Sequence, residues 1–319
     1  MKKITYKCLA LAAVLTLMLA LAACGGKDKA KEEEKSGGSD SSYKVEHAMG
    51  TTEVKSNKRV VVLTNEGTEA VLELGVKPVG AVKSWLGDPW YDHIKDDMDG
   101  VEVVGDESAV NVEKIAALKP DLIIGNKMRQ EKQYDELKQI APTVFAEDLR
   151  GDWKINFELY SKALNKEEKG KEVLAAFDKR IEDFKAEAGD KLKTEVSMVR
   201  FMPGKSRIYH QDSFSGVILK QIGFARPGDQ NNPDFAEEVT QERIPDMDGD
   251  MLFYFTYEAG DGEATKTEKE WTNNPLWKNL GAVKEGNAHK VSDAIWNTAG
   301  GVKAANLMID DLEKYFLEK

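Results

Sequence analysis

The chain has 319 residues and a formal net charge of -11, from 45 basic and 56 acidic side chains. This acidity argues against a nucleic-acid partner or a polybasic membrane patch, because both depend on clustered positive charge. Hydrophobic residues make up 41% of the chain, which is enough for the core of two domains or lobes.

The first 24 residues differ in pattern from the rest of the chain. A basic start is followed by an apolar run from Cys8 to Ala23, which is too short for a spanning helix and typical of a signal peptide. The run ends in Leu21-Ala-Ala-Cys24-Gly25, which resembles a lipobox. That resemblance implies a signal peptide over residues 1–23 and lipid on Cys24. A plain secretory signal with a chance cysteine is the alternative.

Residues 24–42 are predicted to hold the lipidated cysteine and a flexible tether, since 25–42 contain mainly Gly, Ser, Lys and Glu. The chain has 2 cysteines. Cys8 lies in the predicted signal peptide and Cys24 is the predicted lipid site, so the mature body has none. Its stability must then come from a hydrophobic core and not from disulfides.

Residues 43–165 alternate between strand and helix patterns. Short runs rich in β-branched residues predict strands at 59–63, 79–82, 121–124 and 143–145. Helical patterns fall between them, one ending at Leu74 before Gly75 and others at 111–118 and 133–140. This alternation predicts an N-terminal α/β lobe with a mainly parallel sheet.

Residues 166–193 have a different pattern, with one apolar stripe among charged residues. The stripe predicts a single long amphipathic helix, and it consists of Val173, Leu174, Phe177, Ile181 and Phe184. A second α/β lobe is predicted over 194–319, with strands near 195–201, 208–209, 251–255 and 289–291 and a closing helix at 303–316. The predicted fold is α/β, with two Rossmann-like lobes bridged by one long helix.

The two halves share a short motif. Asn111-Val-Glu113-Lys-Ile115 leads to Asp121, and Thr240-Gln-Glu242-Arg-Ile244 leads to Asp250 at matching offsets. Asn and Thr are favourable helix N-caps, and a glutamate in the first turn suits the positive end of a helix. Two well-made helix starts, without further meaning, are the alternative interpretation.

These segments together resemble the iron-siderophore and vitamin B12 class of periplasmic binding proteins, the class III fold, from about Tyr43 to the end of the chain. The motifs that carry the resemblance are 58–63, 67–75, 111–125, 140–144 and 296–305. In particular the chain resembles Gram-positive siderophore-binding lipoproteins of ABC importers, including those for citrate-hydroxamate siderophores. The resemblance implies a monomer that binds a ferric siderophore between its lobes, outside the cytoplasmic membrane, for iron uptake.

The resemblance also implies a role for the repeated motif. In this family one glutamate on each lobe docks onto arginines of the permease dimer, and Glu113 and Glu242 fall on those positions. A two-fold symmetric partner requires one acidic contact per lobe.

A ferric siderophore already supplies the iron with oxygen ligands, so no metal site or cofactor of the protein itself is expected. The protein must instead recognise the outside of a complex that is often anionic and partly apolar. Arginine forks suit its oxygens and aromatic faces suit its organic backbone.

Basic candidates for ligand contact follow predicted strands. Arg129 follows the strand at 121–124, on the sheet edge where open α/β folds bind ligands. Arg200 ends the first strand of the second lobe, and Arg207, Tyr209 and His210 flank the next. Strand alternation places Arg207 and Tyr209 on one face and His210 on the other.

Further candidates lie in loops. Trp85 lies in a Gly/Pro loop after the strand at 79–82, and Trp296 precedes Gly300 and Gly301 and matches a cleft tryptophan of similar proteins. Arg226 is a weaker candidate. Some ferrichrome binders have an arginine where this chain has Asp106-Glu107-Ser108. That departure argues against a copied ferrichrome site and favours a more anionic complex with citrate carboxylates.

The sequence also leaves room for other functions. The 4 histidines are scattered, which argues against a free zinc or manganese site. Haem or cobalamin binding by the same fold stays open. An exported enzyme is a further alternative, although nucleophile-elbow, Walker, zincin and dinucleotide motifs are absent from the sequence. The last alternative is a receptor that binds the siderophore and transmits a signal without transporting it.

Overall fold

The computed structural model describes residues 42–149 and 151–317. The predicted signal peptide at 1–23, the predicted lipid site Cys24 and the predicted tether as far as residue 41 lie outside the described residues. None of the helices in the described part of the chain combines the length and the apolarity needed to cross a membrane.

Short β-branched runs form the first of two five-stranded sheets. Its strands are β3 (Val60–Val62), β4 (Gly80–Ala81), β5 (Glu102–Val103), β8 (Leu122–Asn126) and β9 (Thr143–Ala146). They are all parallel, in the order β5-β4-β3-β8-β9. The residues of β3, β8 and β9 are buried throughout, as expected for a parallel sheet covered on both faces. The predicted parallel α/β lobe is thus confirmed.

The helices of this lobe follow the strands. They are α1 (Asn65–Glu73), α2 (Val112–Ala117), α3 (Lys127–Gln130), α4 (Tyr134–Ile140) and α5 (Trp153–Ala163). Two small hairpins complete the lobe, formed by β1 (Tyr43–His47) with β2 (Gly50–Val54) and by β6 (Gly105–Asp106) with β7 (Ala109–Val110).

The predicted long helix is α6 (Glu167–Ala188), which has 22 residues. Four of the five residues of the predicted stripe are buried, namely Leu174, Phe177, Ile181 and Phe184, and the fifth, Val173, is half-buried. The helix ends earlier than predicted, because Gly189 takes a positive φ of 52°. The predicted last turn is instead the 3-10 helix Gly189–Lys193.

The second sheet is mixed. Its strands are β10 (Val196–Met202), β11 (Lys205–Tyr209), β12 (Ala236–Val239), β13 (Met251–Thr256) and β14 (Ala288–Lys290), in the order β12-β11-β10-β13-β14. Strands β10, β13 and β14 are parallel, whereas β11 and β12 run antiparallel to their neighbours. Pro203 and Gly204 connect β10 to β11, and Gly204 has a φ of 69°, which permits so short a turn. The chain therefore reverses here without a crossover helix.

The helices of the second half cover this sheet. They are α7 (Phe214–Ile222), α8 (Glu263–Asn273), α9 (Pro275–Lys278), α10 (Gly281–Lys284) and α11 (Val302–Phe316). A π-helical turn spans Ala294–Thr298, and 3-10 turns span Glu131–Gln133, Gly228–Gln230 and Gln241–Met247. The predicted fold of two α/β lobes bridged by one long helix is confirmed.

The repeated motif forms two different helix types. The Asn111 side chain caps α2 by accepting a hydrogen bond from the Lys114 amide at 2.9 Å. The prediction that Thr240 caps a matching helix is wrong, because its side chain makes no capping bond to the backbone and the segment Gln241–Met247 is a 3-10 helix. That segment contains Pro245, whose missing N–H removes one α-helical hydrogen bond.

Candidate functional site

A cleft of about 400 Å³ lies between the lobes, at the carboxyl ends of parallel strands. Its volume lies in the range of small-molecule sites. The first lobe contributes Glu66, Trp85, Glu107, Arg129, Leu149, Gly151 and Trp153. The second lobe contributes Arg200, Met202, Arg207, Tyr209, Phe214, Phe235, Tyr257, Asn297, Thr298, Ala299 and Gly300.

Arg200 on β10 is buried and already paired. Its Nε donates to Asp293 Oδ1 at 2.6 Å and its Nη2 donates to Asp293 Oδ2 at 3.1 Å. Its Nη1 donates to the Tyr209 hydroxyl at 3.2 Å, and the guanidinium lies 4.9 Å from the centre of the Tyr257 ring. Burial alone would lower the pKa of Arg200, but Asp293 and Tyr209 raise it above its ordinary value. Arg200 therefore stays charged, with part of its fork free for a ligand.

Arg207 on β11 lies directly opposite Arg200 in the sheet register. Its ionic partner among the described residues is Glu238, at 3.7 Å, and the Arg207 side chain is 30% exposed. The like charges of Arg200 and Arg207 repel each other across the facing strands. An anion that binds both arginines in the cleft would offset this repulsion. Of the basic residues at the cleft, Arg207 has the most freedom to reorient toward such an anion.

Arg129 provides the basic group of the first lobe. It lies on α3 directly after β8, and its Nε donates to Glu107 Oε1 at 3.1 Å. Glu107 is buried, and its Oε2 accepts hydrogen bonds from the Asn65 amide and side chain, both at 2.9 Å. Glu107 thus links Arg129 to the N-terminus of α1, where the helix dipole favours its negative charge.

Aromatic side chains line the rest of the cleft. Trp85 is half-buried in the loop after β4, as predicted from its loop position. Tyr209 lines the cleft and supports Arg200, while its ring packs edge-on against Phe235 at 5.2 Å between centroids. Apolar faces beside arginines suit a ligand with both oxygen atoms and a carbon backbone.

Two predicted candidates lie behind the cleft. His210 is buried, and burial together with Arg226 lowers its pKa. Arg226 Nη2 donates to the Tyr209 carbonyl at 2.5 Å and to Gln230 Oε1 at 3.2 Å, and burial lowers the pKa of Arg226 to about 10. Neither residue lines the cleft. For His210 this agrees with the alternation of side chains along the strand, which places it on the opposite face from Arg207 and Tyr209.

Trp296 is also placed away from the cleft surface. It is fully buried against Phe253, with ring centroids 4.5 Å apart, and its Nε1 donates to Asp311 Oδ2 at 2.8 Å. The four residues that follow it, 297–300, do line the cleft. Trp296 therefore anchors the turn that forms part of the wall.

Three acidic residues at the site were not predicted as site residues. Glu66 and Glu107 line the cleft and Asp293 holds Arg200. Glu66 lies in the first turn of α1, the helix that follows β3, so the strand-edge rule that selected Arg129 could have found it. Asp293 lies 93 residues from Arg200 in the chain, and strand patterns carry no signal for that pairing.

The repeated glutamates are exposed on separate lobes, Glu113 on α2 and Glu242 on the Gln241–Met247 turn. A hydrogen bond from the Thr240 side chain lowers the pKa of Glu242, as does one from its own backbone amide. Among the described residues, no group of three or more His, Cys, Asp or Glu side chains is arranged to hold a metal ion.

Comparisons with known proteins agree with this architecture. The family model for periplasmic binding proteins matches residues 60–290. The probable siderophore-binding lipoprotein YfiY of Bacillus subtilis is 56% identical over 314 residues, covering 95% of this chain and 96% of YfiY. The Fe(3+)-citrate-binding protein YfmC of the same organism is 32% identical, covering 99% of both chains.

Among solved structures, Staphylococcus aureus SirA in complex with staphyloferrin B superposes with a TM-score of 0.79 and 38% identity, covering 86% of this chain and 98% of SirA. The chain belongs to the periplasmic binding protein family of substrate-binding proteins.

Proposed function

We propose that this protein captures a ferric siderophore outside the cytoplasmic membrane and delivers it to an ABC permease for iron uptake. The observation that carries the proposal is the cleft itself, where three arginines from both lobes meet beside aromatic side chains, namely Arg129, Arg200 and Arg207. Such a site suits an anionic complex whose iron is already surrounded by oxygen ligands.

A carboxylate-bearing siderophore of the citrate-hydroxamate type fits these groups well. Two facing arginines in one sheet match a carboxylate or hydroxamate edge, which can accept a hydrogen bond from each fork. Relatives named for Fe(3+)-citrate and for staphyloferrin B complexes support a ligand of this character.

The remaining parts of the proposal concern placement and partners. Lipid on Cys24 would hold the protein at the outer face of the membrane, and the naming of YfiY as a lipoprotein supports this. The body would act as a monomer, with lobes at 43–165 and 194–319, bridging residues at 166–193, and Glu113 and Glu242 as permease contacts. ATP hydrolysis would occur on other subunits, and this chain would catalyse no reaction.

The proposal is tested by isothermal titration of the full chain, purified in detergent. The ligands are a ferric citrate-hydroxamate siderophore, ferric citrate, a ferric triscatecholate, haem and cobalamin, each siderophore also without iron. We expect saturable, submicromolar binding of one ferric siderophore and weak binding of its iron-free form. Binding of haem or cobalamin alone would keep the family and overturn the ligand, and no binding throughout would overturn the proposal.

A further inference from the structure

Glu66 is a buried acid at the cleft, and one of its carboxyl oxygens has no hydrogen-bond partner among the described residues. It is the second residue of α1, lines the cleft and is 7% exposed. Its Oε2 accepts a hydrogen bond from Asn156 Nδ2 at 3.1 Å. Its Oε1 is buried and, within the described part of the chain, has no hydrogen-bond partner. A buried polar atom without a hydrogen-bond partner destabilises the folded protein, and a ligand that supplies the partner would remove this cost.

The orientation of Asn156 determines which oxygen of Glu66 would carry the proton in the neutral form of the acid. Asn156 Nδ2 also donates to the backbone carbonyl of Asp148 at 2.8 Å, and a carbonyl can only accept. The amide NH₂ therefore faces both oxygens and donates to Glu66 Oε2, which leaves Oε1 as the hydroxyl of a neutral acid. A neutral Glu66 thus has one O–H donor, on Oε1, with no acceptor supplied by the described residues.

The surroundings of Glu66 favour the neutral form. The titratable groups that face it are Glu107 from the β6–β7 hairpin, Asp148 after β9, Glu69 on its own helix and Tyr160 on α5. Burial raises the pKa of Glu66 well above its ordinary value, the Asn156 bond opposes this, and Glu107, Asp148 and Glu69 raise it further. Arg129, which lines the same wall of the cleft, donates its Nε hydrogen bond to Glu107.

A second unpartnered donor lies on the same wall. Trp153 begins α5, lines the cleft and is 3% exposed, and its Nε1 has no hydrogen-bond partner among the described residues. Trp153 is three residues before Asn156, so the two side chains share a face of α5. With Glu66 neutral, the first-lobe wall has two hydrogen-bond donors that lack acceptors among the described residues.

We propose that Glu66 acts as a neutral carboxylic acid whose Oε1–H donates to an oxygen acceptor of the bound ferric complex, so that capture is linked to protonation of Glu66. The inference rests on the proposed function and adds the ligand chemistry at the first-lobe wall. Ligands that present a carboxylate or hydroxamate oxygen there are favoured, and ligands that present an N–H or O–H donor are disfavoured. When Glu66 is ionised in the free protein, the proton comes from solvent on binding.

The test is isothermal titration of the full chain in detergent with the ferric citrate-hydroxamate siderophore, between about pH 6 and 9, in buffers of different ionisation enthalpy. Such buffers report the number of protons taken up on binding. For the wild type we expect uptake that increases, and affinity that falls, as pH rises through the range in which Glu66 ionises. The visible absorbance of the ferric complex checks that the ligand stays intact at each pH.

Two variants separate the donor from the charge. Glu66→Gln keeps an N–H donor without a titratable proton, so it should bind within about threefold of wild type at pH 7 and lose most of the proton uptake. Glu66→Ala should bind roughly tenfold or more weakly than wild type at the low end of the pH range, and its affinity should depend little on pH. Glu73→Gln, on the same helix and away from the cleft, should behave as wild type.

Two outcomes would overturn the inference. One is that Glu66→Gln takes up as many protons on binding as the wild type. The other is that Glu66→Gln binds the siderophore more weakly than Glu66→Ala, because this would mean that an ionised Glu66 accepts a hydrogen bond from the ligand. If Glu66→Ala fails to fold, the proton count of Glu66→Gln still decides. If the wild type itself does not bind the ferric complex, the proposed function fails first, and the variants are not needed to show it.

Discussion

At the scale of single residues, the two arginines that face each other across β10 and β11 differ in what holds them. Arg200 is fixed by a bidentate pair with Asp293, whereas Arg207 has only a loose ionic contact with Glu238. Strand alternation in the sequence predicted that Arg207 and Tyr209 share a face. The pairing with Asp293 could not be predicted, because it depends on how a distant turn packs against the sheet.

This difference leads to a prediction for the two arginines. Arg207→Ala should weaken binding of the ferric siderophore by about 1–3 kcal/mol and leave thermal stability nearly unchanged, because no structural hydrogen bond is lost. Arg200→Ala should weaken binding and also destabilise the fold by about 3 kcal/mol, because it leaves Asp293 buried without its partner. Titration calorimetry and thermal unfolding measure the two effects separately.

The matched control is Lys205→Ala, which removes a charge on the same strand that contacts the same Glu238, at 3.4 Å, but does not line the cleft. It should bind as wild type. Wild-type affinity in both arginine variants would remove them from the site.

At the scale of elements, the sequence predicted the long α6 but did not predict α5 and α7, although both of these helices bury an apolar face. The stripe of α6 fixed that helix from the sequence, although its end depended on Gly189. The helix α8 was not predicted either, and only Ala264, Thr267 and Trp271 of its residues are buried. The start of α8 is held instead by a carboxylate. Glu258 accepts hydrogen bonds from the amides of Gly260, Gly262 and Thr265 at 2.8, 2.9 and 3.0 Å.

The Glu258 turn predicts a pH-dependent contribution to stability. The backbone hydrogen bonds from Thr265, Gly262 and Gly260 and the Thr265 hydroxyl lower the pKa of Glu258 to about 2. A lowered pKa means that its stabilisation is present above the ordinary glutamate range and is lost as pH falls toward 2. Glu258→Gln should therefore lower the denaturant midpoint at pH 7, and the difference from wild type should shrink below about pH 4.5.

Chemical denaturation at several pH values measures this, with Glu270→Gln on the exposed face of α8 as the control. An equal difference between Glu258→Gln and wild type at pH 7 and at pH 3 would show that the carboxylate charge does not hold the turn.

At the scale of the whole molecule, the sequence predicted the two lobes and the bridging helix because strand, helix and turn patterns agreed along the chain. The mixed strand directions of the second sheet were harder to predict. The sequence pattern after β10 was equally compatible with a crossover helix, but a two-residue turn reverses the chain there. The cleft combines residues from distant segments, so the pairing of its acidic members with Arg129 and Arg200 depends on tertiary packing. Single-strand patterns could place Arg129, Arg200 and Arg207 at its edge but could not describe their partners.

The last prediction concerns delivery of the ligand. Glu113 and Glu242 are exposed and neither lines the cleft, so reversing both charges should leave ligand affinity unchanged. Because each would meet a basic group of the permease, Glu113→Lys with Glu242→Lys should impair uptake of radiolabelled iron as its siderophore complex in cells that lack the native protein. The control reverses two other exposed acids, Glu136 and Glu285, and should support normal uptake. Equal uptake by both double variants would contradict docking through the repeated motif, whereas a loss of ligand affinity in the first would mean that these glutamates act on the cleft and not on the permease.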